Sequence, residues 1–336
     1  MINELISWPT KLSTGSQIAQ DFFIHFKTKL PPSPKKIAFI GMGGSGIAGR
    51  LIKTILDKKS DCTSIIVDGP EIPTFIDATY TAIVVSYSGN TWETVCALEE
   101  LLLKKVPVIV LCHGGTLLEM AQKNSLPFAL IPECSAPRAA VGYMLGFLCQ
   151  FFDDTKLLQG KTILSLVDAL LQKELKNLEN KEFYKDFLTL AQGRDFFHIW
   201  GISQDSAAVA YRAQTQFNEN SKVQAVFSSF PELNHNLVVG LTVHTQKPLV
   251  LFFSSAFLSK ELYASKKSAE QILEKQGVLL YKAPVFGDTW EEQLFMMIVW
   301  ADFASYYLGK ARSVDITSTL VIDQLKASYL KNLQTF

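Results

Sequence analysis

The run Lys36-Ile37-Ala38-Phe39-Ile40 leads without a break into Gly41-Met42-Gly43-Gly44-Ser45-Gly46, and that turn into Ile47-Ala48-Gly49-Arg50-Leu51-Ile52. The first run reads as a buried strand and the last as the start of a helix. A glycine-rich turn between the two leaves backbone N–H groups at the positive end of a helix dipole, which makes an anion site. The same alternation then repeats. Short apolar runs at residues 64–69, 81–86, 106–112 and 128–132 read as strands, with helical patterns at 93–105 and 116–123. Strands that are apolar throughout need cover on both faces, so the expectation is a doubly wound parallel sheet of the α/β class. An amphipathic helix is expected ahead of it at residues 16–26, ended by Pro31-Pro32-Ser33-Pro34.

Composition excludes several classes of partner. Lys plus Arg and Asp plus Glu both number 32, so net charge makes no case for nucleic acid or an anionic membrane surface. With 48% hydrophobic residues over 336 positions, the chain can fill two cores of ordinary size. Five cysteines without a CxxC spacing fit reduced thiols in a cytoplasmic protein. Residues 1–10 carry an acid and a proline where a secretory signal needs basic residues and a long apolar run, and no apolar run is long enough to span a membrane.

Gly41, Gly43 and Gly46 fit a dinucleotide fingerprint, and Asp68 falls where a ribose ligand would sit. The glycines would equally serve a plain tight turn. The third strand shifts the balance. It ends in Ser86-Tyr87-Ser88-Gly89-Asn90-Thr91-Trp92-Glu93-Thr94, which puts three aliphatic hydroxyls (Ser86, Ser88, Thr91) in six residues between a strand end and a helix start. Hydroxyls and uncapped N–H groups together hold a monoester phosphate, and Ser45 can join from the neighbouring turn. An ordinary N-cap at Ser88 or Thr91 accounts for one hydroxyl, not three. These two loops resemble those of a sugar isomerase (SIS) domain. The resemblance implies a phosphosugar ligand held by Ser45, Ser86, Ser88 and Thr91 and by the backbone of Gly43 and Gly44.

Arg138 follows in Pro137-Arg138-Ala139-Ala140-Val141-Gly142-Tyr143. A cation in the first turn after Pro137 opposes the helix dipole. It is either a surface arginine with a solvated head or a cation aimed at an anionic substrate. Helices are then expected through residues 153–192, with an apolar stripe at Leu164, Val167, Leu171, Leu175 and Leu178. Strands reappear at 195–201, 225–227, 248–253 and 277–281, with helices at 206–217, 260–275 and 290–308. This is a second α/β sheet on the plan of the first.

Two stretches of this half stand out. In Arg212-Ala213-Gln214-Thr215-Gln216-Phe217-Asn218-Glu219-Asn220-Ser221-Lys222, Glu219 lies near a helix C-terminus. The dipole there disfavours a carboxylate, which suits a general base working near neutrality; a solvated glutamate on a helix end is the plain alternative. In Phe230-Pro231-Glu232-Leu233-Asn234-His235-Asn236, His235 can move protons near neutral pH or be an ordinary loop histidine. The other histidines (His25, His113, His198, His244) have no metal-ligand spacing, so no metal and no cofactor are expected.

Taken in order, the Arg138, Glu219 and His235 motifs and the ending Val314-Asp315-Ile316-Thr317-Ser318-Thr319-Leu320-Val321-Ile322-Asp323-Gln324-Leu325-Lys326 resemble the bifunctional phosphoglucose/phosphomannose isomerases. The resemblance implies two doubly wound parallel-sheet SIS domains joined by helices: residues 1–152, a helical link at 153–192, and residues 193–336. It implies aldose–ketose isomerisation through a cis-enediol, with Glu219 as base, Arg138 and Lys326 stabilising charge and His235 opening the ring. It also implies that Thr319 admits mannose and that the protein is a homodimer with His235 reaching the partner's site. Ile316 stands where the family usually has proline. A non-catalytic phosphosugar-binding regulator and a nicotinamide-linked oxidoreductase are the competing expectations.

Overall fold

The structure is a computed structural model, described for residues 1–30, 34–241 and 248–333. Pro31, Pro32, Ser33 and His244, on which the sequence reading drew, lie outside the described residues. Two parallel sheets dominate. The first has β1 (Lys36–Ile40), β2 (Thr63–Val67), β3 (Thr81–Ser86), β4 (Val108–Cys112) and β5 (Phe128–Leu130) in the order β2-β1-β3-β4-β5. The second has β6 (Phe196–Ile202), β7 (Gln224–Phe230), β8 (Leu249–Phe253) and β9 (Leu279–Lys282) in the order β7-β6-β8-β9. β6, β7, β8 and β9 thus repeat the positions of β1, β2, β3 and β4.

Every residue of β3, β4 and β8 is buried, as the unbroken apolar runs require. β7 extends three residues past its expected end. Ser228 and Ser229 break the apolar pattern, yet their backbones continue the pairing with Trp200 and Gly201. The N-terminal helix also differs, running over Trp8–Phe26 rather than starting at residue 16. Pro9 suits its first turn, and buried Trp8 and Leu12 begin its packed face.

The helix Gly43–Lys59 after β1 packs against the helix Ala207–Gln216 after β6, so the first helices of the two sheets meet. One continuous apolar core runs through both halves, with Phe187, Phe217 and Trp300 at its centre in the second. The link helix Gly160–Glu179 buries Ile163, Val167, Leu171 and Leu178, while Leu164 and Leu175 pack at its edge.

The ends of the two sheets differ. Beyond β6 and β8 the crevice is filled by the chain's own carboxylate. Buried Asp205 accepts the Ser255 N–H at 2.9 Å, the Ser255 hydroxyl at 2.5 Å and the Trp290 Nε1–H at 2.8 Å. The crevice beyond β1 and β3 has no such carboxylate among the described residues.

Candidate active site

The two hydroxyl-bearing loops follow β1 and β3, which are adjacent and parallel, so they share the carboxyl edge where parallel sheets take ligands. Ser45, buried in the first turn of the Gly43–Lys59 helix, accepts the Tyr87 N–H at 3.0 Å and ties the loops together. That bond uses an acceptor lone pair and leaves the Ser45 hydroxyl proton to be donated. Buried Ser86 donates to Thr91 Oγ1 at 3.0 Å, which leaves the Thr91 proton free in the same way. Ser88 is exposed, and its Oγ accepts the Asn90 N–H at 3.2 Å. Thr91 holds the N-cap position of the helix Trp92–Leu103 but receives no capping hydrogen bond, and Met42 leaves the Gly43–Lys59 helix uncapped as well. Neither hydroxyl loop is therefore spent on capping. Gly89 closes its loop at φ +69°, where a Cβ would lie 1.7 Å from the Gly114 carbonyl oxygen, so glycine is required.

Arg138 sits on the short 3₁₀ turn Pro137–Ala140 and is 2% exposed, so it is not a surface arginine. A Cβ on Gly44 would lie 3.1 Å from the Arg138 Cα, so the glycine turn rests directly on this segment. The guanidinium divides among four partners, the weakest being the Thr317 carbonyl, which accepts from Nη2 at 3.5 Å. Nη1 donates to Glu219 Oε2 at 2.9 Å, Nε to Asn220 Oδ1 at 2.9 Å and Nη2 to the Ile316 carbonyl at 2.7 Å. Burial pulls the Arg138 pKa below its usual value, against the raising effect of the Glu219 charge.

Glu219 lies on a π-turn, Phe217–Ser221, that widens the end of the Ala207–Gln216 helix. The position near a helix C-terminus is as expected, but the ion pair with Arg138 is not visible in the sequence. The side chain is 26% exposed, and Oε1 has no hydrogen-bond partner among the described residues. Lys222 ends the turn at φ +53° and donates to the carbonyls of Glu219 at 2.5 Å and Ser318 at 2.7 Å. Desolvation and the nearby Arg138 charge push its pKa down.

The segment that supplies the Ile316 carbonyl is an Asp315-centred turn. Asp315 Oδ1 accepts from Thr317 N at 2.9 Å, Thr317 Oγ1 at 2.7 Å and Ser318 N at 3.2 Å. Those bonds hold its pKa below the usual carboxylate value. The turn forms without proline, and the Ile316 side chain is buried against Gly309.

Arg138 and Glu219 are therefore joined, with Gly44 of the glycine turn against the Arg138 backbone. Thr319 precedes the helix Leu320–Leu333, and its carbonyl accepts from Ile322 and Asp323. Lys326 lies on that helix and is exposed, as is His235 on the turn Glu232–His235. Neither has a hydrogen bond or ion pair with Arg138 or Glu219. Sequence reasoning missed the partners Asn220, Arg212, Asp302 and Ser305. Asp302 carried a signal, an acid within the otherwise apolar stretch of the helix Trp290–Ala311. Among the described residues no group of three or more His, Cys, Asp or Glu could hold a metal, and no helix is long and apolar enough to cross a membrane.

Two parallel sheets, each with its first helix turned toward the other half, and a hydroxyl-lined edge on the first sheet define a SIS-domain protein. A family model described as SIS domain matches residues 32–129, and one described as bacterial phospho-glucose isomerase C-terminal SIS domain matches residues 188–328. A bifunctional phosphoglucose/phosphomannose isomerase from Thermoplasma volcanium is 35% identical over 87% of this chain and 90% of that protein. Another from Caldicellulosiruptor bescii is 28% identical over 97% of this chain and 98% of that protein. Among solved structures, tagatose-6-phosphate ketose/aldose isomerase from Escherichia coli matches with a TM-score of 0.71 at 13% identity, covering 95% of each chain, a likeness of fold. The chain belongs to the bifunctional phosphoglucose/phosphomannose isomerase family.

Proposed function

We propose that this protein interconverts glucose 6-phosphate and mannose 6-phosphate with fructose 6-phosphate through a cis-enediol. The observation that carries the reading is the Arg138–Glu219 ion pair, with Gly44 of the glycine turn resting on the Arg138 backbone. In this scheme Ser45, Ser86, Ser88, Thr91 and the amides of Gly43 and Gly44 hold the phosphate and orient the opened sugar. Glu219, through Oε1, carries a proton between carbons 1 and 2, and Arg138 stabilises charge on the enediol oxygens. Both steps draw only on the chain's own groups and water, so no cofactor is invoked. A planar enediol can take its proton on either face once carbon 2 turns, which lets one site serve both aldoses; Thr319 is assigned to admitting mannose.

His235 is assigned to ring opening in the partner's site of a homodimer, and Lys326 to a supporting charge. Supporting this, His235 is exposed with no side-chain hydrogen bond or ion pair among the described residues, and the Lys326 helix exposes Leu320, Val321 and Leu325. Residues 1–152 and 193–336 are read as the two SIS domains, with 153–192 as link. The setting is cytoplasmic, in the interconversion of hexose phosphates that serves glycolysis and gluconeogenesis. The nicotinamide reading loses support because Asp68 is ion-paired with Arg50 rather than free for a ribose.

The test is incubation with fructose 6-phosphate in deuterated water, followed by NMR. Glucose and mannose 6-phosphates deuterated at carbon 2 are expected. Glucose 6-phosphate alone would remove the mannose claim, and binding without any product would favour a phosphosugar-binding regulator.

A further inference from the structure

Arg138 is held through its side chain by Glu219, Asn220 and Ile316, but its main chain is held from elsewhere. Arg212, on the helix Ala207–Gln216, donates from Nη2 to the Arg138 carbonyl at 2.8 Å. The same guanidinium makes a two-point fork with Asp302, Nε to Oδ1 at 3.0 Å and Nη2 to Oδ2 at 3.0 Å. Arg212 and Asp302 are each 1% exposed. Stability alone is a poor reason for this pair. Desolvating two charges consumes most of what their attraction returns, and apolar replacements of such pairs are often neutral or better. The Arg212 Nη1 group is also buried without a partner among the described residues, a further cost.

Asp302 lies on the helix Trp290–Ala311, which reaches the other side of the site too. Ser305 Oγ accepts from Asn220 Nδ2 at 3.0 Å and donates to the Asp302 carbonyl at 2.9 Å; the Ser305 carbonyl accepts from Ser221 Oγ at 2.7 Å. One buried helix therefore fixes the Arg138 backbone through Arg212 and the Glu219 turn through Asn220 and Ser221. It makes no hydrogen bond to the loops after β1 and β3.

We propose that Arg212 and Asp302 are a positioning pair for Arg138: the fork sets the Arg212 Nη2 against the Arg138 carbonyl and so sets how the Arg138 guanidinium meets Glu219 and the substrate. The pair acts on the chemical step and not on phosphate binding. This rests on the isomerase reading of the site. A lysine at 212 keeps the charge but cannot engage Asp302 at two points while also reaching the carbonyl.

The experiment compares Arg212→Lys and Asp302→Asn with the unmodified protein in steady-state isomerisation of fructose 6-phosphate. It also follows hydrogen–deuterium exchange of the peptide spanning residues 136–141. The expected result is a kcat lower by about 10- to 100-fold with KM changed by less than about threefold, as for a reacting group displaced by a fraction of an ångström. Exchange in the peptide should quicken. Arg138→Lys combined with Arg212→Lys should be no slower than Arg138→Lys alone, within about twofold, because both changes act through one group. Unchanged kcat, a change confined to KM, full multiplication of the two effects, or unchanged exchange each overturns the proposal. If the single variants fail to fold, Arg212→Met with Asp302→Leu replaces the pair by apolar groups and should show the same kcat loss in a folded protein. An unmodified protein without isomerase activity overturns the functional reading instead, and the exchange measurement then decides the positioning role by itself.

Discussion

Among the described residues Glu219 has one oxygen engaged and one open, and this asymmetry gives its substitution a specific signature. Glu219→Gln keeps the size and a polar contact toward Arg138 but removes the carboxylate proposed to carry the proton. Isomerisation is expected to fall by about 10²- to 10⁴-fold, the range a general base contributes, while fructose 6-phosphate binding measured by calorimetry stays within about threefold. Lost binding in a folded variant would mean that Glu219 mainly holds the sugar. A different residue-scale prediction concerns pH. Burial pushes the Cys149 thiol up to about 12, whereas an unfolded chain ionises it near the usual value of about 8.5. Between those values the folded chain holds the extra proton. The contribution is thus complete below about 8.5 and is lost as pH rises, by at most about 1.4 kcal/mol per pH unit for this one group. Burial raises Cys62 and Cys112 to about 11, and they add to the decline. Denaturant unfolding between pH 8 and 10 should show falling stability with a shallower slope in Cys149→Ala; an equal slope would remove the assignment to Cys149.

Among the elements, the turn before the last helix presents the Ile316 carbonyl to Arg138 by means of Asp315 on one side and the buried Ile316 side chain on the other. Ile316→Ala removes the second support. It should destabilise the protein by about 2–4 kcal/mol in denaturant unfolding, as buried aliphatic truncations do, and lower kcat as the carbonyl loses its seat. Destabilisation with unchanged kcat would show that Asp315 alone sets the turn. The elements themselves were largely readable, because wholly apolar strands and glycine-rich turns encode a covered parallel sheet residue by residue. β3 came out at its expected limits, while β7 overran them because its last residues pair through backbone that side-chain pattern does not report. The hydroxyl loops were readable for the same local reason. The Arg138 partners were not: Asn220, Arg212 and Ile316 are brought to it from 74 to 178 residues away in sequence, Asp302 acts on it only through Arg212, and no local period carries that information. The Ile316 contact shows the limit most plainly, since a carbonyl oxygen has no side-chain signature at all.

At the scale of the whole molecule, the arrangement divides its labour between neighbours. The first half supplies the hydroxyl-lined edge, proposed to hold the phosphate, and Arg138, and the second supplies Glu219 on the π-turn after its first helix. The matching edge of the second sheet is occupied by Asp205, so on the proposed reading only the first sheet offers an anion site among the described residues. His235 is exposed on the turn that follows β7, which no hydrogen bond or ion pair links to Arg138 or Glu219. The proposed role in the partner's site needs a second copy of the chain, and that need is measurable. Glu219→Gln and His235→Ala should each be nearly inactive alone. In a mixed dimer, one site combines both defects and the other combines an intact Glu219 with an intact His235. Subunits exchanged at equal amounts make half mixed dimers, so about a quarter of the unmodified activity should return. Recovery near that level, absent when exchange is blocked by crosslinking each variant beforehand, places the histidine across the interface. If activity does not return although mass spectrometry detects the mixed dimer, each site takes both groups from one chain, and His235 must swing toward Glu219 within its own subunit.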